Sequence, residues 1–468
     1  MRDLRAAIAA LSLAGSLALS LAGCSLAPKY ERPAAPVDGE FTGAAAAAPA
    51  APGAKAAADL GWRDVLGEPR LVALIELALR GSRSLRLAAL DVELARASYQ
   101  IERSALLPTV SAVGAADYSG TRDDVKSQYR IGVGVTAYEL DLFGRVRSLS
   151  EAALEDYLAT EEAQRGAYIA LVAELATQYL YERAADEQRA LAEQTLEAVG
   201  KLVEMTRTLV EAGQRSDLDA STAAAQLAAA RAAVAQARRL RAQAENALVL
   251  LVGQPLPPGL PAPGPLEAMA LRTELPAGLP SELLQRRPDI LAAEHALKAA
   301  NASIGAARAA FFPSISLTGF AGLASSALSS LFTGGALAWS FSPQVRVPLF
   351  TGGRNRAGLE VAEVRKQIEV ARYERSIQVA FREVADALVA RGAFEEQLEA
   401  QIARVAAEQR RFEISETRYR SGIESYLSVL YAQQDLFAAQ QQLIELRRAR
   451  LANVIALYRA LGGGWRER

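Results

Sequence analysis

One cysteine, one histidine and three methionines in 468 residues leave little from which a reactive or metal-binding centre could be assembled. With only Cys24 and His295 available, a zinc site cannot be completed, and no HExxH or CxxC spacing exists. His295 sits in A-E-H-A-L on a helical stretch and reads as a structural histidine. No charge of one sign dominates: 52 basic residues face 53 acidic ones, so there is no polybasic surface for nucleic acid. Gly352-Gly353-Arg354 lacks the Lys-Ser/Thr of a phosphate loop, and no Ser-His-Asp constellation can be assembled around His295. The reading is of a protein that is not an enzyme, without catalytic residues, metal or cofactor.

The apolar run from about Ala6 to Ala22 falls short of the ~20 residues a spanning helix needs. Arg2 and Arg5 precede it and Leu21-Ala22-Gly23-Cys24 closes it, which makes residues 1–23 a secretory leader ending in a lipobox. Those four residues resemble bacterial lipoprotein signals. The resemblance implies cleavage before Cys24, acylation of its thiol and amine, and, with Ser25 next rather than Asp, delivery to the outer membrane. Residues 24–60 are rich in Ala, Pro and Gly without periodicity, so they read as an extended, poorly packed tether from lipid to body.

The body of the chain is a duplication. Arg418 to Ser428, R-Y-R-S-G-I-E-S-Y-L-S, is the one break in a helical pattern from about Gly353 to Leu461. Gly422 suits the left-handed end of one helix, and Ser425 is placed to cap the next. Gly213, Ser216 and Leu218 stand 209 residues before Gly422, Ser425 and Leu427, so the chain carries two long helical hairpins. Ser216 with Asp219 makes a capping-box-like start. The spacing predicts a first repeat over 61–253, with a helix within 70–107 that stops at Gly81, strands 109–118 and 129–142, and a hairpin over 144–252. A Pro-rich connector, 254–280, leads to a second repeat over 281–468, with a helix 281–312, strands 314–321 and 337–350, and a hairpin 354–461.

In the second strand Ile131, Val133, Val135 and Ala137 are read to one side and Gly132, Gly134 and Thr136 to the other. Trp339 and Phe341 suit either an interfacial aromatic belt or ordinary sheet packing. Arg354 to Arg420 is 67 residues, roughly 100 Å of continuous helix at about 1.5 Å per residue. Its apolar steps, Val364, Ile368, Ala371, Ile377, Phe381, Val384, Leu388, Leu398, Ile402 and Val405, describe a coiled-coil seam. Leu430, Phe437, Ile444, Leu451 and Tyr458 return along it every seven residues.

Four strands per chain cannot close a barrel, and an open edge in lipid leaves backbone groups unsatisfied at several kcal/mol each. Several chains must share one barrel, and spacing alone leaves eight, twelve or sixteen strands open. Leu279-Pro280-Ser281, Arg287-Pro288-Asp289-Ile290, Ala293-Glu294, Phe312-Pro313-Ser314-Ile315, Gly352-Gly353-Arg354 and Arg418-Tyr419 with Gly422 together resemble the outer membrane factor family, the kin of the TolC and OprM proteins. The nearest branch is that of lipoprotein channels of RND-type efflux systems.

The resemblance implies a mostly α fold with a membrane β-barrel portion: a homotrimer with a twelve-stranded outer membrane barrel continuous with a periplasmic α-helical coiled-coil tunnel. It implies a periplasmic adaptor and an inner membrane RND-type pump as partners, and efflux of drugs or other small toxic compounds from a Gram-negative cell. Type I protein secretion, metal-ion export and a non-channel periplasmic scaffold are the alternatives. By the same resemblance Leu427 is a ring-forming constriction residue, and Arg418, Tyr419 and Arg420 hold closed hairpins together. Gly213, Ser216, Leu218, Gly422 and Ser425 form the adaptor-docking tips. Tyr431 stands where relatives carry an aspartate, which implies weak cation preference unless Asp435 substitutes.

Overall fold

The computed structural model describes residues 25–37 and 59–465, apart from 123, 274, 276–282 and 285. The leader, Cys24 and most of the tether lie outside these residues. Described helices are α1 (Trp62–Val65), α2 (Pro69–Gly81), α3 (Arg83–Ser104), α4 (Arg145–Glu211), α5 (Asp217–Val252), α6 (Pro288–Ala309), α7 (Arg354–Arg420) and α8 (Tyr426–Ala460). Strands β1 (Val110–Gly120), β2 (Val125–Leu140), β3 (Ser314–Ser325) and β4 (Leu337–Arg346) form one antiparallel sheet in the order β1-β2-β3-β4. No described helix is long and apolar enough to cross a membrane.

Helix ends follow local chemistry. The expected stop at Gly81 is real: a Cβ there would lie 2.6 Å from the Val252 carbonyl oxygen, and the chain breaks at Ser82 into two helices. The helix expected over 281–312 runs as α6 from Pro288, because proline's missing N–H and fixed φ suit a first turn. The expected start at Ser281 lies outside the described residues. Helices α4 and α7 each run 67 residues without interruption.

The chain divides into two compact units. One contains Leu90–Glu162, Leu291–Ser376 and the N-terminal segment as far as Ala35. Here the sheet separates two chemistries across its thickness. Directly paired residues of an antiparallel sheet share a face, so each row of partners can be read across all four strands. Gly114, Ile131, Leu323 and Leu337 form one row, Ala112, Val133, Ala321 and Trp339 the next, and Val110, Val135, Gly319 and Phe341 a third. The alternate rows, on the other face, carry Ser111, Asp117, Gln128, Arg130, Ser316, Thr318, Ser340, Ser342 and Gln344, with Val113 and Phe320 as its large apolar members. Arg130 and Asp117 pair on that polar face at 2.6 Å.

The alternation in β2 fails at one place. Ala137 has φ 51°, and the register slips between Val135 and Tyr138, so β2 spends an extra residue there. Ala137 therefore does not continue the Ile131, Val133, Val135 series; its N–H donates to Thr318 Oγ1 at 3.2 Å. The strands otherwise exceed or fall short of their expected ends by a few residues, with β4 closing at Arg346 rather than at residue 350.

The N-terminal segment is not the loose tether read from composition, at least over the described part. The carbonyl of Leu26 accepts from Arg308 and that of Pro28 from Asn301, while Arg32 donates to Glu294 through Nε and Nη2 at 3.0 and 2.7 Å. The Tyr30 hydroxyl joins the same carboxylate at 3.2 Å, and burial beside it pushes the phenol pKa upward. Gly305 is required for this approach: a Cβ would meet Ala27 at 2.8 Å. Composition conceals the strap because α6 and not local periodicity organises it.

The second unit holds Ala163–Ile290, the chain from Ile377 onward and the segment reaching Ala89. Its core centres on Trp62, Leu71, Leu74, Ile75, Leu175, Tyr179 and Leu180, all fully buried, with Leu451, Ile455 and Tyr458 of α8. In the heptad series of α8, Leu430, Ile444, Leu451 and Tyr458 are buried and Phe437 is partly buried. The α7 seam is less fully buried: in this unit Ile377, Val384 and Leu388 are covered and Ile402 is exposed, and in the first unit Val364 and Ile368 are exposed in the single chain.

Candidate functional site

The two hairpin tips lie in the second unit. Gly213 turns at φ 71° and Gly422 at φ 76°, and at each the next N–H reaches back to the carbonyl five residues earlier: Gln214 to Leu209 and Ile423 to Arg418, both at 2.9 Å. This satisfies carbonyls that the ending helix would otherwise leave open. Ser216 accepts from the Asp219 N–H, and the Asp219 carboxylate accepts from the Ser216 N–H, a complete capping box. Ser425 makes no such bond, contrary to the sequence expectation. Its partner three residues on is Ser428, not a carboxylate, and the two hydroxyls lie 3.5 Å apart.

Between the tips is a small core of Leu202, Ala223, Tyr419, Tyr426, Val429 and Leu430, with Phe412 and Leu209 against it. The rings of Tyr419 and Tyr426 meet edge-on at 5.8 Å, and burial pushes the Tyr426 hydroxyl up to about 12. Tyr419 is fully buried, and its hydroxyl meets Thr206 Oγ1 of the first hairpin at 3.1 Å. Arg215 completes the junction. Its Nη2 donates to the carbonyls of Tyr419 and Glu424 at 3.2 Å each, and its guanidinium lies 4.6 Å from the Tyr419 ring centre.

Of the residues expected to hold closed hairpins together, Tyr419 contacts the first hairpin of its own chain through Thr206, whereas Arg418 and Arg420 are engaged inside their own hairpin. Arg418 pairs with Glu424 at 2.9 Å and Arg420 with Glu416 at 2.6 Å. Arg215 escaped the sequence reading. The available signal was its place between the tip glycine and the capping serine, opposite Glu424 in the other copy.

Leu427 and Tyr431 are about half exposed, and Leu218 more so at 74%. Asp435 is not a free carboxylate: Arg411 bridges it and Glu408 at 2.8 and 3.0 Å, leaving the trio with a single net negative charge. Among the described residues no group of His, Cys, Asp and Glu could hold a metal ion. His295 pairs with Glu155 at 2.6 Å in the other unit. The arrangement of the described residues offers packing, turns and exposed apolar tips.

A family model described as outer membrane efflux protein matches residues 74–254 and 279–463. The antibiotic efflux pump outer membrane protein ArpC and the toluene efflux pump outer membrane protein TtgC, both of Pseudomonas putida, are each 48% identical over 465 residues, covering 98% of this chain and 96% of the relative. The open-state structure of the MtrE outer membrane channel of Neisseria gonorrhoeae superposes with a TM-score of 0.86 at 41% identity, covering 95% of this chain and 99% of that one.

Proposed function

The chain belongs to the outer membrane efflux protein family, and on that premise we propose that it is the outer membrane exit duct of a tripartite efflux system. Its partners in this reading are a periplasmic adaptor and an RND-type inner membrane pump, and it works as a passive duct with energy supplied by the pump. Antibiotics and aromatic solvents are the proposed cargo, in keeping with the names of its relatives.

The observation that carries the reading is the sheet. One face is apolar across all four strands and the other is mostly polar or small, with Val113 and Phe320 its large apolar members, and Trp339 is 79% exposed on the apolar side. Such a sheet is suited to lipid outside and water inside. Both β1 and β4 are edges, and lipid does not tolerate open edges, so sister chains complete the barrel. A trimer makes it twelve-stranded. Acylation at Cys24 anchors each chain, and residues 61–253 and 281–468 act as its two repeats about the 254–280 connector.

At the tips, Leu427 forms the constriction, Tyr419 with Arg215 holds it, and the exposed surfaces around Leu218, Ser216 and Ser425 dock the adaptor. With Tyr431 in place of an acid and Asp435 tied to Arg411, the pore has weak cation preference, readable from single-channel reversal potentials. The test of the whole reading is a strain that keeps the pump and adaptor and has this channel as its sole outer membrane duct. Deleting the gene is expected to raise susceptibility to pump substrates as much as deleting the pump. Unchanged susceptibility would overturn the reading.

A further inference from the structure

The break between α2 and α3 lines a cavity of about 520 Å³ in the second unit, together with residues of α4 and Trp465. That volume suits one organic molecule of ordinary size. Neither the tips nor the sheet uses it.

Among the described residues the cavity's charge is of one sign: Arg80, Arg83, Arg86 and Arg165 line it and no carboxylate does, in a chain whose 53 acids and 52 bases are nearly matched overall. Several arginines elsewhere in this unit are ion-paired: Arg183 with Asp186, Arg238 with Glu193 and Arg450 with Glu395. Arg83 donates to the Gly81 carbonyl at 2.6 Å, and among the described residues the guanidinium groups of Arg80 and Arg86 have no hydrogen-bond or ion-pair partner. The opposite character comes from Leu79, Leu85, Tyr168 and Trp465, with the Arg165 guanidinium 5.7 Å from the Trp465 ring centre.

The wall is built, not a loop. Gly81 ends α2 against the Val252 carbonyl, and Ser82 is buried, its N–H on the Ala78 carbonyl and its hydroxyl accepting from the Leu85 N–H at 3.4 Å. That junction fixes where α3 begins, and spacing by three keeps Arg83 and Arg86 on one helix face. Guanidinium groups match the oxygens of carboxylate, sulfonate or phosphate in geometry as well as charge.

We propose that this cavity binds a small amphiphilic organic anion, its charged head on Arg80, Arg83 and Arg86 and its apolar body against Leu79, Leu85, Tyr168 and Trp465. The site is independent of the duct reading and survives its failure. Calorimetric titration of the full chain in nonionic detergent, corrected for empty micelles, tests it with 2-naphthalenesulfonate, neutral 2-naphthol and cationic 2-naphthylmethylammonium.

Saturable binding of one sulfonate per chain is expected, weakened about tenfold or more in naphthol and lost in the cation. Raising salt from about 0.05 to about 0.5 M should weaken it, since exposed charges are screened. The Arg80→Gln/Arg86→Gln chain should bind about tenfold more weakly, while Arg391→Gln/Arg404→Gln, with the same charge removed elsewhere, should bind normally. No saturable sulfonate binding at millimolar concentration, equal affinity for naphthol, or equal loss in both double variants would overturn the proposal. The salt and naphthol comparisons need no variant and stand if a variant misfolds.

Discussion

Gly213 and Gly422 turn the chain at almost the same φ, yet the helix after Gly213 opens on a reciprocal cap and the helix after Gly422 does not. What compensates is packing. The second tip places Tyr419 and Tyr426 in a buried core where the first has Val210 and the charged Asp217. The duplication thus kept the feature that backbone geometry demands, a residue free to take positive φ, and let the two tips diverge in how their helices are fastened. One is fastened by local hydrogen bonds, the other by long-range contacts, and Arg215 of the first tip ties the two together alongside Thr206.

That contrast can be broken most severely at Tyr419. Tyr419→Ala should destabilise the tip by about 3–5 kcal/mol, as for other buried aromatics, and accelerate hydrogen exchange around residues 412–430. Val210→Ala at the matched position should do much less. Next is Arg215→Ala, which removes two charge-assisted bonds and a ring contact and is expected to cost about 2 kcal/mol, loosening the second tip although the substitution is in the first. Exchange confined to residues near 215 would contradict that.

A finer test exchanges the caps. Ser216→Ala should cost about 1 kcal/mol and Ser425→Ala close to nothing, whereas Ser428→Asp, which supplies the missing carboxylate, should add about 1 kcal/mol to the second tip. The smallest effect concerns Glu182, buried among arginines in the first copy where the second has exposed Arg391. Burial raises its pKa against the pull of Arg183 and Arg241. The folded state therefore holds this proton to higher pH than the unfolded chain does. The stabilisation is fully present below the ordinary carboxylate pKa and is lost as pH rises through the raised one. Glu182→Gln should not lower the melting temperature at neutral pH, and it should abolish this residue's share of any gain on mild acidification.

Much of this molecule was legible because its demands are local. A 67-residue helix from Arg354 to Arg420 follows from unbroken helical periodicity closed by a glycine, and the tip glycines follow from their matched spacing. The features that escaped are those in which distant residues decide. Ala137 carries no mark of a bulge, which arises from the slip of β2 against β3. Ser425 has the right residue type for a cap but lacks the carboxylate three positions on. The strap of residues 25–37 has no pattern of its own and is held by Glu294 and Asn301, far along the chain. Of the candidate gate, Tyr419 was identified by resemblance, while its tie to Thr206 and Arg215 needed the fold. The exposed ends of the α7 seam show the converse, a pattern written in the sequence that one chain alone does not bury.

Whether the sheet's apolar face lies in lipid is tested most directly through Trp339. Reconstituted into bilayers whose acyl chains carry bromine, the intact protein should lose a fluorescence component that is absent from the Trp339→Phe chain and unaffected by aqueous iodide. A Trp339 signal quenched by iodide and indifferent to brominated lipid would place this face in water and contradict a barrel completed by sister chains.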